Sequence, residues 1–95
     1  LSRTVRPSTQ VVEFARQLAP EPRRAVKHAL TELRLERGDI CALEANLSGY
    51  YRLRIGRHRL IFNYAKDGAI EAIFIEERPL VYELFEAQFI KHLKS

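Results

Sequence analysis

The stretch Tyr50-Tyr51-Arg52-Leu53-Arg54-Ile55-Gly56-Arg57-His58-Arg59-Leu60-Ile61-Phe62-Asn63-Tyr64 decides how this chain folds. Apolar residues alternate with arginines on both sides of Gly56-Arg57, a pair that suits a two-residue hairpin turn with Gly in its first central position. Counting outward from that turn, Ile55 faces His58, Leu53 faces Leu60 and Tyr51 faces Phe62 on one side. On the other side Arg54 faces Arg59, Arg52 faces Ile61 and Tyr50 faces Asn63. The first side is expected to be core and the second cationic. Like charges directly opposed across a sheet repel. Arg54 facing Arg59 therefore points to an anion or an acid between them, and a phosphate backbone is the candidate anion.

A second hairpin signal, Asp67-Gly68, follows the first. Counting from it pairs Phe62 with Ile73 and Leu60 with Ile75 on the core side, and Ile61 with Phe74 and Arg59 with Glu76 on the cationic side. The expectation is a three-stranded meander. N-terminal to it, Arg3-Thr4-Val5-Arg6 reads as a short strand closed by Pro7. Ser8 or Thr9 can cap a helix in which Val11, Phe14, Ala15 and Leu18 recur at three-and-four spacing. Pro20 ends that helix and Pro22 suits the first turn of another. In this second helix Val26, Ala29, Leu30 and Leu33 form the apolar face, and Gly38 is the natural stop. Asp39 to Ser48 reads as a connector anchored by Ile40, Leu43 and Leu47. Pro79 is expected to open a last helix with Val81, Leu84, Phe85 and Phe89 as its apolar stripe. The fold class is α+β: an N-terminal helical hairpin packed on a small antiparallel sheet, in the order β-α-α-β-β-β-α.

The 95 residues fit one domain spanning 1–95. Apolar content of 46% with 29% charged residues fits a globular chain and argues against disorder. The net charge of +4 is unevenly spread. No acid lies between Glu44 and Asp67, whereas Glu71, Glu76, Glu77, Glu83 and Glu86 crowd the region after it, which favours a local basic patch. Cys41 stands alone, so the chain has no internal disulfide and no thiolate metal cluster, and a small buried hydrophobe is its expected role. No apolar run is long enough to span a bilayer and no signal-peptide core opens the chain, so a reducing cytoplasm is expected. The chain opens on Leu1 and contains no Met, so the native start is expected to lie elsewhere. The isolated glycines exclude a phosphate-binding loop, the scattered histidines give no metal-ligand spacing, and no cofactor is expected.

Arg52, Arg54 and Arg59 carry the candidate chemistry. Guanidinium forks match phosphate oxygens in a bidentate manner, and Tyr50, Ile61 and Phe74 on the same face suit stacking on bases. The competing reading is the solvated side of a half-buried sheet. Arginine stays protonated, so a nuclease built on this patch needs Glu76, His58 or a tyrosine to move protons. Glu76 ranks above His58, which is in register with the core side. Glu76 also admits a purely structural role as the ion-pair partner of Arg59. Tyr82 lies one helical turn after Arg78 and either stacks on a nucleobase or packs the last helix. Arg78 extends the basic face or neutralises Glu77 and Glu83.

Four pieces together, Leu47-Ser48-Gly49, Tyr51-Arg52-Leu53-Arg54-Ile55-Gly56, His58-Arg59-Leu60-Ile61-Phe62 and Arg78-Pro79-Leu80-Val81-Tyr82, resemble the RelE/ParE superfamily of bacterial type II toxins. The resemblance implies the same order of elements as the one read above. It also implies an mRNA endoribonuclease that acts on ribosome-bound message and inhibits translation. Arg52, Arg54 and Arg59 then match the residues that contact the mRNA phosphate, and Tyr82 matches a tyrosine that stacks or assists at the scissile nucleotide; apart from the resemblance, Arg57, Arg78 and Tyr50 are the candidate substrate-binding residues. The implied reaction is attack of a ribose 2′-hydroxyl on the adjacent phosphate without a metal, leaving a 2′,3′-cyclic phosphate. The implied partners are a cognate antitoxin, mRNA with the ribosome, and operator DNA reached through the antitoxin. Glu76 departs from the RelE type, where a basic residue is usual. A gyrase inhibitor of the ParE type, or an inactive antitoxin-binding homologue, are the alternative functions.

Overall fold

The structure is a computed structural model and describes residues 2–77 together with Phe85 and Ala87. Strand β1 (Val5–Pro7) leads into helices α1 (Thr9–Gln17) and α2 (Pro20–Leu33). Strand β2 (Asp39–Ala42), a 3-10 turn over Ala45–Leu47, and strands β3 (Tyr51–Ile55), β4 (His58–Tyr64) and β5 (Ile70–Glu77) follow. The five strands form one mixed sheet in the order β1-β5-β4-β3-β2, in which β1 runs parallel to β5 and all other neighbours are antiparallel. This is the expected α+β architecture. Its N-terminal strand, reached from β5 across the helical hairpin, supplies the parallel pair.

The connector read over Asp39 to Ser48 is largely ordered structure. Its first four residues are an edge strand, with Ile40 across from Leu53 and packed on the core while Asp39 and Cys41 face the other way. Cys41 is exposed there, not buried. Gly38, just before β2, has φ +128, and a Cβ on it would sit 2.7 Å from Leu53 Cδ1. The helix stops earlier than this glycine, at Leu33, and the chain turns through Glu36 in the left-handed region. The start of α1 follows its sequence: the Ser8 hydroxyl accepts from the Val11 amide at 3.2 Å. Its Gln10 extends the sheet in place of the short β1. The Gln10 amide donates to Ile75 O at 2.7 Å and accepts from Ile75 N at 2.8 Å.

Register along β3 and β4 is the one counted from Gly56-Arg57, pair for pair from Ile55 with His58 to Tyr51 with Phe62. The second hairpin differs. The amide of Gly68 bonds Ala65 O, and the amide of Ala65 bonds Ala69 O. The loop is therefore three residues with Gly68 at φ +87, not two. This moves the pairing by one residue, and Phe62 faces Ala72, not Ile73. An irregularity between Ile61 and Phe62 then admits Ile73 as an extra residue, and Ile61 with Phe74, Leu60 with Ile75 and Arg59 with Glu76 return to the expected register.

The main core lies between the helices and one sheet face, where Val11, Val26, Leu33, Leu53, Leu60, Phe62, Ile70, Ala72 and Ile75 cluster. His58 belongs to this side and meets Phe14 edge-on, centroids 5.4 Å apart. A second, smaller cluster of Leu47, Ile61, Phe74 and Phe85 covers part of the opposite face. Phe85 and Ala87 are helical, consistent with a last helix. The other residues expected in that helix, Val81, Leu84 and Phe89, lie outside the described residues.

At the far end of β4, the Tyr64 hydroxyl donates to Glu36 Oε1 at 2.7 Å, and Arg3 Nε lies 3.2 Å from Glu36 Oε2. The Tyr64 hydrogen bond, then the Arg3 contact, hold the Glu36 carboxyl below its ordinary value. Burial, reinforced by Glu36, pushes the Tyr64 phenol up to about 12. Asp67 is lowered likewise, first by Arg6, which donates to it at 3.0 Å. A carboxyl lowered on folding contributes stability above its unfolded value, about 4, and loses it as pH falls through the folded value. A raised tyrosine does the reverse above pH ~10. Thermal melting should therefore show Tm falling between pH 5 and 3 in the wild type, and less steeply in Glu36→Gln. Gly38→Ala is expected to cost about 1–3 kcal/mol in urea denaturation, from backbone strain and the clash with Leu53.

Candidate active site

Four strands place four charged residues in one line across the sheet face opposite the helices. Asp39 on β2 pairs with Arg54 on β3, Arg54 pairs with Arg59 on β4, and Arg59 pairs with Glu76 on β5. Directly paired residues share a face, so the line reads acid, arginine, arginine, acid. Three inter-strand spacings of about 4.8 Å put its ends about 14 Å apart. The neighbouring line is Cys41, Arg52, Ile61 and Phe74. It carries the transition from charge to the second apolar cluster.

The arginines occupy three different environments. Arg54 is exposed and has no ion-pair partner among the described residues. Arg52 is only 18% exposed at its side chain, and its Nη2 lies 3.6 Å from Asp39 Oδ1. Arg59 is 5% exposed. Its Nη1 donates to Gly56 O at 2.7 Å and to His58 O at 2.9 Å, so the guanidinium braces the turn between β3 and β4. A buried guanidinium is tolerated only when its donors are satisfied, and the carbonyls of its own hairpin do this. The opposition of Arg54 and Arg59 is thus eased because the Arg59 guanidinium turns onto the hairpin carbonyls while Arg54 stays in solvent.

Glu76 is where the count put it, across from Arg59, and its Oε1 accepts from the Glu77 amide at 3.0 Å. Arg57 sits out on the turn, its Nε 3.7 Å from Glu77 Oε1. Tyr50 packs edge-on against Phe85, centroids 5.2 Å apart. Arg78 and Tyr82 lie outside the described residues. His58 points to the helices, away from this face.

The expected stacking platform is not built as anticipated. Ile61 is 0% and Phe74 3% exposed, covered by Leu47 and Phe85. An aliphatic or aromatic side chain on the cationic face lowers its energy by burial, and a second layer does this here instead of a nucleobase. Asp39 joins this face although the sequence reading puts it in a connector. The signal that finds it is the period-two pattern of Asp39-Ile40-Cys41, which puts Ile40 in the core and its neighbours on the arginine face.

No protein-family model matches the chain, and no curated protein matches it significantly by sequence. Solved structures do. The RelBE2 toxin–antitoxin complex of Mycobacterium tuberculosis contains a chain with TM-score 0.72 and 23% identity, covering 82% of this chain and 100% of that one. A chain of the RelE–RelB complex from Pyrococcus horikoshii gives 0.68 and 25%, over 83% and 98%. The YoeB dimer from Staphylococcus aureus gives 0.63 and 22%, over 82% and 99%. The fold is that of the RelE-like toxin superfamily.

On this RelE-like fold the hairpin arginines divide between a braced and an exposed class, with different consequences for stability. Charge-assisted hydrogen bonds contribute about 1.5–3 kcal/mol, whereas exposed substitutions stay within about 0.5 kcal/mol. Urea denaturation should show Arg59→Ala less stable than wild type by about 2–3 kcal/mol and Arg54→Ala unchanged.

Proposed function

We propose that this protein is the toxin of a type II toxin–antitoxin pair and an endoribonuclease that cuts mRNA on the ribosome, inhibiting translation. The observation that carries the reading is the convergence of Arg52, Arg54 and Arg59 on one sheet face of a fold found in toxins solved with their antitoxins. Two strands of fixed register present Arg54, with the half-buried Arg52 beside it, to a single-stranded phosphate backbone, and hold Arg59 beneath them.

In the reaction, a ribose 2′-hydroxyl attacks the adjacent phosphorus and the 5′-oxygen of the next nucleotide departs, leaving a 2′,3′-cyclic phosphate. Negative charge grows on the phosphate oxygens as the attack proceeds. Arg54 and Arg52 meet that charge directly, and Arg59 supplies a fixed positive potential from beneath. Tyr82 stacks at the scissile nucleotide, a role that rests on the sequence resemblance, and Arg57, Arg78 and Tyr50, placed near the arginine hairpin by the sequence reading, bind flanking substrate. A cognate antitoxin neutralises the protein in the cytoplasm, and the pair reaches operator DNA through the antitoxin.

Expression of the wild type should arrest growth, and primer extension on cellular mRNA should reveal new 5′ ends within coding regions. Arg54→Ala, which leaves the fold intact, should lose both effects, as removal of one charge-stabilising donor costs about 10²–10³ in rate. Growth arrest with DNA-damage signalling and no new mRNA ends would replace this reading by gyrase inhibition. Undiminished cleavage by Arg54→Ala would remove the arginine face from the mechanism.

A further inference from the structure

We propose that Asp39 is the proton acceptor of the site; this rests on the ribonuclease reading above and adds a catalytic residue to it. The line Asp39, Arg54, Arg59, Glu76 offers two carboxylates, one at each end. They are not equivalent. The Glu76 carboxylate accepts a hydrogen bond from its neighbouring amide and lies across from a buried arginine that is committed to the turn. Asp39 lies across from the exposed Arg54, is 55% exposed at its side chain, and has its Oδ1 3.6 Å from Arg52 Nη2. It stands on an edge strand beside the exposed Arg54 and beside Arg52, whose contact with it is long. Its partner contact is too long for a strong charge-assisted hydrogen bond, so a 2′-hydroxyl can compete for the carboxylate.

The step balances as follows. Asp39 takes the proton of the 2′-hydroxyl as the O2′–P bond forms and the P–O5′ bond breaks. Water gives a proton to the departing 5′-oxygen, and the resulting hydroxide recovers the proton from Asp39. Arg52 and Arg54 hold the phosphate oxygens throughout, so the carboxylate and its two neighbouring guanidinium groups act on the same nucleotide.

The test uses the full chain with a labelled mRNA programmed on ribosomes. Asp39→Asn is isosteric and removes only the charge. Its single-turnover cleavage should fall by about 10²-fold or more, the usual contribution of a general base. Affinity for the same RNA carrying a 2′-methoxy group at the scissile nucleotide should be unchanged or tighter, because a carboxylate near phosphate is gone. Asp39→Glu should recover part of the rate, and Glu76→Gln should lose clearly less of it than Asp39→Asn does. Wild-type rate in Asp39→Asn, or a loss matched by equal loss of affinity or of thermal stability, overturns the assignment. A large loss in Glu76→Gln with Asp39→Asn active transfers the role to Glu76 and overturns it too. Absence of cleavage by the wild type itself overturns the ribonuclease reading, and the assignment with it.

Discussion

Everything in this molecule is arranged around a strand that is buried on both faces. Leu60, Ile61 and Phe62 follow one another along β4 and are all fully buried. A strand of that kind needs pairing on both edges and cover above and below. β3 and β5 supply the edges, and α1 and α2 supply one cover. Leu47 and Phe85 supply the other. That upper cover occupies the middle of the face, so the line Asp39, Arg54, Arg59, Glu76 lies toward the Gly56-Arg57 turn, and a separate pair, Arg6 with Glu71, lies toward the other end. The site is therefore displaced to one end of the sheet by the demands of the core, not placed at its centre.

That displacement explains the state of Arg59. It is the last β4 residue on this face before the turn, close enough to the covered zone to be buried and to the turn to reach its carbonyls. Desolvation raises the cost of its charge, and two short hydrogen bonds offset it. What results is a cation whose orientation is set before any ligand arrives. Arg54, one strand away, keeps its solvent and its freedom. The pair divides the labour of an anion site into a fixed field and an adaptable contact.

Much of this was legible in the sequence because period-two alternation and a glycine turn leave little choice of register. The pairing of Arg54 with Arg59 follows from counting alone, whereas that of Arg59 with Glu76 agrees with the count because the extra residue at Ile73 cancels the longer loop. The opposite face was misjudged at Ile61 and Phe74, because alternation tells which side a residue faces but not what covers that side. Asp39 was hidden by brevity: a four-residue edge strand between a helix and a 3-10 turn has too few alternations to stand out. Gln10 was illegible for another reason, since its bonds to Ile75 depend on β1 ending early, a tertiary circumstance with no local signature.

The three-residue loop at Gly68 and the extra residue at Ile73 have a joint meaning that neither has alone. Each displaces β5 by one position, and they do so in opposite senses. A two-residue turn formed by the same sequence, with Lys66 facing Ala69, would together with the bulge bring Glu77 against Arg59. The bulge sits about five residues, or roughly fifteen ångströms, along the strand from the loop, and it restores the register that the longer turn displaces. The choice of turn at Asp67-Gly68 is thus coupled through the register to the bulge: a two-residue turn would keep Arg59 against Glu76 with no extra residue, whereas the three-residue loop keeps it there only with one.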